Sequence, residues 1–249
     1  MKRIRFWQLA IIALVVVLIM ATAGFVIWGS NPLPAHPEAY FSIESNDSIS
    51  VEQEPWLVFK PGKSIPTTGF IFYPGGRVQP LAYAPAARAI AEEGYLVVIP
   101  SMPLNLAIFA SDVADEITAT FPEIDCWIIG GHSLGGAMAA RFANRNPQTV
   151  QGLVLWAAYP AESDDLSSNN LEVASIYASK DSVADVDTVL ASQPLLPAST
   201  SWVLIEGGNH AGFGYYGPQS GDGTRTISLE EQQEQIITGT VELLDKTCD

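Results

Sequence analysis

A serine attacks a carbonyl only when a neighbour takes its proton and donors hold the charge that forms on the carbonyl oxygen. Gly131-His132-Ser133-Leu134-Gly135 has the residue types and spacing for that attack. It follows the apolar run Cys126-Trp127-Ile128-Ile129-Gly130 and opens a helix-like run from Leu134 to Asn144. In a strand, G-x-S-x-G, helix context, a sharp turn lifts the serine Oγ clear of the backbone. The glycines at 131 and 135 let strand and helix cross closely. The pentapeptide recurs by chance, so a base, an acid and oxyanion donors must accompany it.

The base follows by elimination among three histidines. His36 lies in the proline-rich stretch Asn31-Pro32-Leu33-Pro34-Ala35-His36-Pro37, and His132 is adjacent to Ser133 and points elsewhere. His210 remains, in the glycine-rich loop Glu206-Gly207-Gly208-Asn209-His210-Ala211-Gly212-Phe213-Gly214 after the strand-like Ser201 to Ile205. A loop histidine just past a strand can reach a site at the carboxyl ends of a parallel sheet.

The orienting acid is expected between Ser133 and His210, just after a strand. Val173 to Ala178 reads as a buried strand, and Ser179-Lys180-Asp181-Ser182 follows it, which selects Asp181. Its carboxylate would accept the Nδ1 proton of His210 and fix the tautomer. Asp185 and Asp187, within an expected helix from Val183 to Ala191, are rivals, as are Asp164 and Asp165. Two backbone donors would hold the oxyanion. One is Leu134, at a helix start where N–H groups are unsatisfied. The other is Gly76, with Gly75 as alternative, in Pro74-Gly75-Gly76-Arg77 after the strand-like Gly69 to Tyr73.

The segments Tyr73-Pro74-Gly75-Gly76, Gly130 to Gly136, Ser179-Lys180-Asp181 and Gly207-Gly208-Asn209-His210 together resemble the α/β-hydrolase superfamily, in its compact dienelactone-hydrolase-like or esterase-like branch. The resemblance spans most of the chain after about residue 65 and respects that family's order of serine, acid, histidine. It implies a Ser133, Asp181, His210 triad, and hydrolysis of carboxylic esters or lactones through an acyl-enzyme. It implies no metal and no organic cofactor. Dienelactone hydrolases carry a cysteine nucleophile, so Ser133 favours a general serine esterase. The segment Tyr73-Pro74 stands where many esterases have His-Gly.

These residues need a scaffold, and the pattern supplies one. Strand-like and helix-like runs alternate: strand 95–99, helix 81–93 ending at Gly94, helix 106–120, strands 126–130, 152–157, 173–178 and 201–205, and a closing helix 228–244. Ser228 and Glu231 have the spacing of a capping box. Short early strands are expected at 40–45, 48–54 and 56–60. The alternation predicts a mostly parallel central sheet with helices on both faces. Residues 158–172 suit a loop, so a small or absent cap is expected, with small soluble esters favoured over triglyceride droplets. Tyr215 and Tyr216 are candidates for lining a pocket.

The chain of 249 residues divides into residues 1–29, a linker at 30–38 and a catalytic domain at 39–249. Lys2, Arg3 and Arg5 precede an uncharged run from Phe6 to Trp28, long enough to span a bilayer. The basic flank would stay cytoplasmic and place the catalytic domain outside. Ala21-Thr22-Ala23 offers a cleavage site and hence a secreted alternative. The linker is expected to act as a semi-rigid stalk.

The net charge of −15 argues against nucleic acid as a partner. There is no zinc-spaced cluster and no phosphate loop in the sequence. Cys126, in a strand, and Cys248, near the chain end, are not expected to be bridged. An acyltransferase on the same triad and a non-catalytic, membrane-tethered binding module are the alternatives. Oligomeric state is not legible.

Overall fold

The computed structural model describes residues 6–63 and 65–248. The basic residues Lys2, Arg3 and Arg5 lie outside the described residues. The chain begins with α1 (Phe6–Gly29), whose side chains are exposed throughout its apolar length. It is long and apolar enough to cross a membrane or to be a signal sequence.

An eight-stranded sheet follows: β1 (Ile49–Glu52), β2 (Leu57–Pro61), β3 (Thr68–Tyr73), β4 (Leu96–Ile99), β5 (Cys126–His132), β6 (Gly152–Trp156), β7 (Glu172–Ala178) and β8 (Ser201–Ile205). The spatial order is β1-β2-β4-β3-β5-β6-β7-β8. The first two strands pair antiparallel at one edge, and β4 through β8 form a parallel run. Strands covered on both faces need no polar alternation, which is why Thr-Gly-Phe-Ile-Phe-Tyr in β3 and Leu-Val-Val-Ile in β4 are buried at every residue.

The two faces still divide by the period of two. Phe70 and Phe72 enter one core with Tyr83, Ile90 and Ile236, beneath α2 (Ala84–Glu92) and α6 (Leu229–Thr247). Ile71 and Tyr73 enter the other, with Ile117 of α3 (Val113–Thr120) and Phe142 of α4 (Leu134–Arg145). A short α5 (Val186–Ala191) lies between β7 and β8. Ser228 and Glu231 form the expected reciprocal capping box at the start of α6. No helix occurs between β6 and β7, so the site has no helical lid there.

Several local expectations are corrected. Residues 40–45 are not a strand; Pro37–Ile43 is a 3-10 helix, started by a proline whose fixed φ suits a first helical position. The helix expected at 81–93 begins as a 3-10 turn, Pro80–Tyr83, and becomes α2 only at Ala84. The helix expected at 106–120 starts late: Pro103–Asn105 and Ala107–Phe109 are separate 3-10 turns, with Leu104 and Asn105 in left-handed conformations. The helix expected from Val183 starts at Val186, because Val183 and Ala184 direct their N–H groups to a carboxylate instead.

The two cysteines are bridged, contrary to expectation, with Cα atoms 6.0 Å apart across 122 residues of sequence. The helix α6 runs back along the sheet and sets its last turn beside the start of β5. The position of a Cβ on Gly152, at the start of β6, would lie 3.4 Å from Thr247.

The residues after α1 are bonded to neighbouring loops. Asn105 Nδ2 donates to Gly29 O at 2.9 Å, and Leu33 N donates to Arg77 O at 2.5 Å. His36 N then donates to Tyr215 O at 2.8 Å. Residues 29–36 therefore lie pinned along the loops that follow β3, β4 and β8.

Candidate active site

Ser133 sits between β5 and α4 with φ 52° and ψ −122°, a conformation that costs about 1–3 kcal/mol for a residue with a side chain. Surrounding contacts enforce it. Ser133 N donates to Trp156 O at 3.0 Å, and Ala137 N reaches Ser133 O at 3.1 Å. Gly135 lies so close to the end of β3 that a Cβ would come within 2.2 Å of Tyr73 O. Any side chain there would push α4 off the sheet and flatten the turn that presents Ser133.

His210 follows β8 and Asp181 follows β7, both buried. His210 Nδ1 lies 2.7 Å from Asp181 Oδ2. The other carboxylate oxygen, Oδ1, accepts from Val183 N and Ala184 N, each at 2.8 Å. Three donors thus converge on the carboxylate, and an Nδ1 proton pointed at it would leave the Nε2 lone pair to serve as a base. That Nε2 is buried and has no hydrogen-bond partner among the described residues. No hydrogen bond joins it to Ser133 Oγ; such bonds are often long before substrate arrives.

Three of the four rival acids are engaged elsewhere. Asp164 pairs with Arg141 at 3.1 Å, and Asp165 accepts from Ser167 N at 2.9 Å. Asp185 caps α5 by accepting from Thr188 N at 2.9 Å. Asp187 lies in the first turn of α5.

The two candidate oxyanion glycines differ in what their N–H groups do. Gly75 N donates to Tyr83 Oη at 3.0 Å, so its proton is committed. Gly76 N has no acceptor among the described residues. A Cβ on Gly76 would lie 3.3 Å from Leu134 Cδ2, which places it beside the start of α4.

His132 carries a role that the sequence did not reveal. Its ring is buried, stacks on Phe213 at 5.6 Å and 12°, and lies 4.5 Å from the His210 ring. Its Nδ1 is 2.9 Å from Tyr83 Oη. Burial, reinforced by the nearby His210, pushes the His132 pKa well below its usual value and keeps the ring neutral. Burial also raises the Tyr83 pKa, so the phenol keeps its proton and donates it to Nδ1. The chain Gly75, Tyr83, His132 therefore ties the glycine loop to the end of β5, and the His132 ring carries the contact on to Phe213 and His210.

A second unforeseen residue is Asp222. Its Oδ1 accepts from His210 N at 3.2 Å, and its Oδ2 accepts from Ala211 N at 2.8 Å. On α6, Gln232 exchanges bonds with Asn209, and Gln233 Nε2 donates to Gly212 O at 2.7 Å. Nothing in their spacing marks these residues, since they act by packing against a loop. Tyr216 is buried and donates to Gln219 at 3.1 Å, so it packs within its own loop.

Ser133 opens onto a mostly apolar recess of about 260 Å³, lined by Ala137, Ala158, Tyr159 and Val183 among others. No group of three or more His, Cys, Asp or Glu side chains with metal-binding geometry occurs among the described residues.

The model of the alpha/beta hydrolase family matches residues 69–234. The chain belongs to the alpha/beta hydrolase family. Solved structures similar to this hydrolase include a predicted CIB-like hydrolase from Thermoplasma acidophilum, with a TM-score of 0.58 at 16% identity, covering 79% of this chain and 96% of that one. The esterase domain of a Rhodothermus marinus protein gives a TM-score of 0.57 at 13% identity, covering 74% and 90%. Est1E from Butyrivibrio proteoclasticus gives 0.57 at 10% identity, covering 78% and 98%. At such identities the likeness is one of fold. No curated protein matches the hydrolase significantly.

Proposed function

We propose that this hydrolase is a serine esterase that cleaves carboxylic esters or lactones through an acyl-enzyme. The observation that carries the reading is the buried Asp181–His210 pair, 2.7 Å apart, whose imidazole has an unpartnered Nε2 and lies 4.5 Å from the ring of His132, the residue before Ser133. His210 would take the Ser133 proton as Oγ bonds to the carbonyl carbon. The N–H groups of Leu134 and Gly76 would hold the oxyanion. The leaving alcohol would receive the proton from His210, and water would then release the acid by the same route. The recess of about 260 Å³ favours a small group on its side of the scissile bond. No metal or organic cofactor enters this scheme.

The location belongs to the same reading. The helix α1 would anchor the protein, with Lys2, Arg3 and Arg5 on the cytoplasmic side and the catalytic domain outside. The Cys126–Cys248 bridge favours that side, because disulfides persist in oxidising compartments.

The test is fluorophosphonate labelling of the purified protein alongside Ser133→Ala and His210→Ala, followed by turnover of p-nitrophenyl acetate. Labelling and turnover confined to the unaltered protein are expected. A well-folded protein that neither labels nor turns over ester would overturn the proposal.

A further inference from the structure

The end of α1 is fastened to the loops that border the site. Gly29 O accepts from Asn105 Nδ2, and Arg77 Nη2 donates to Asn31 O at 2.6 Å. The Arg77 guanidinium lies 4.4 Å over the Trp28 ring. Arg77 directly follows Gly76, and its N–H donates to Asn105 O at 2.7 Å. The candidate oxyanion loop and the end of the apolar helix thus share one set of bonds.

At 1.5 Å per residue, the 24 residues of α1 extend about 36 Å, more than the roughly 30 Å hydrocarbon core of a bilayer. The last turn, with Phe25 and Trp28, would stand at the bilayer interface, where aromatic rings are favoured. Beside that turn lie Ile108 and Phe109, 52% and 53% exposed. The Phe109 ring packs edge-on against Phe25 at 6.2 Å. Two large apolar side chains exposed at that height have a natural occupant in the lipid surface the helix enters. Ile108 and Phe109 follow Leu106, and Leu106 packs beside Gly76, whose Cβ position would lie 3.7 Å from it and 3.3 Å from Leu134. The recess beside Ser133, at about 260 Å³, has room for a small group.

We infer that this site draws its ester from the membrane: a lipid-like amphiphile whose apolar tail stays in the outer leaflet beside Phe109 and Ile108, and whose small end enters the recess beside Ser133. The inference rests on the esterase reading and on α1 as an anchor. The chemistry is unchanged: the ester C–O bond breaks, water supplies hydroxyl to the acyl carbon, and the alcohol leaves with a proton. The protein's net charge of −15 makes the attraction apolar rather than electrostatic, so neutral lipid should suffice.

The experiment uses the full chain in phosphatidylcholine vesicles. Hexadecyl acetate and methyl palmitate, which carry the tail on opposite sides of the ester, are dispersed in the vesicles, and p-nitrophenyl acetate is supplied in the water. Ile108→Ser, Phe109→Ser and the double variant are compared with the unaltered protein. The expected result is turnover of at least one tailed ester, with kcat/KM lowered about tenfold or more by the double variant and p-nitrophenyl acetate turnover unchanged. Equal effects on tailed and soluble esters, or no turnover of either tailed ester while p-nitrophenyl acetate is cleaved, would overturn the inference alone. Loss of p-nitrophenyl acetate turnover in the unaltered protein would instead overturn the esterase reading, and this inference with it. If the double variant misfolds, the single variants decide by the same comparison.

Discussion

The rings of His132 and His210 lie 4.5 Å apart, inclined at 44°, both buried. Two imidazoles so close cannot both be protonated without strong repulsion. The hydrolase assigns them opposite duties: His210 faces a carboxylate, and His132 faces a phenol and an aromatic ring. A neutral His132 gives His210 a flat wall that leaves room for one charge.

Acid sensitivity follows from that arrangement. The folded-state pKa of His132 lies well below 6.5, its usual value. Below pH 6.5 the unfolded chain takes up a proton at this residue that the folded protein refuses. Stability therefore rises with pH through this range and is lost as pH falls beneath 6.5, by up to about 1.4 kcal/mol per pH unit. His132→Asn retains a partner for Tyr83 and removes the titration. Between pH 7.5 and pH 5.0 the unaltered protein should lose about 2 kcal/mol more than the variant in urea unfolding. Equal losses would show that His132 is charged in the fold.

The loop bearing His210 should depend on Asp222. Its carboxylate accepts from the backbone of His210, Ala211 and Gly223. Asp222→Ala leaves those N–H groups without a protein partner and should cost about 1–3 kcal/mol of stability. It should also lower kcat by tenfold or more, as the imidazole loses its setting. Asp222→Asn, with one acceptor oxygen, should recover part of both. Unfolding curves and ester turnover on the same samples would check this. An alanine variant of undiminished kcat would show that Asp222 holds the loop without aligning the histidine.

The bridge between Cys126 and Cys248 closes a long loop, so its stabilisation should be large. Chain entropy over 122 residues corresponds to roughly 5 kcal/mol at most. Cys248→Ser, or reduction, should lower the urea midpoint and leave p-nitrophenyl acetate kcat nearly unchanged at low denaturant, because the bridge lies at the end of β5 away from Ser133. A fall in kcat without a change in midpoint would contradict this.

Legibility in the sequence followed the range of the interaction. The turn around Ser133 is local, and its glycines announce it. The meeting of Asp181 and His210 is legible because a parallel sheet brings strand ends together, which strand-like runs predict without coordinates. The buried central strands were legible as continuous apolar runs. The roles of His132 and Asp222 were not, because each depends on which loop faces it across the sheet. The bridge was missed for the same reason: nothing around Cys248 tells that α6 returns to the start of β5. The strand expected at 40–45 failed because Pro37 favours a helical start more strongly than the residues after it favour extension.

The pinned course of residues 29–36 gives the molecule a mechanical property. A flexible tether would let a domain tumble over the membrane at many heights. Here Gly29 and Asn31 bond directly to Asn105 and Arg77, and Leu33 to Arg77 again, so helix and loop turn as one lever. In a bilayer, a change of thickness that tilts α1 would exert a torque whose short arm ends one residue from Gly76.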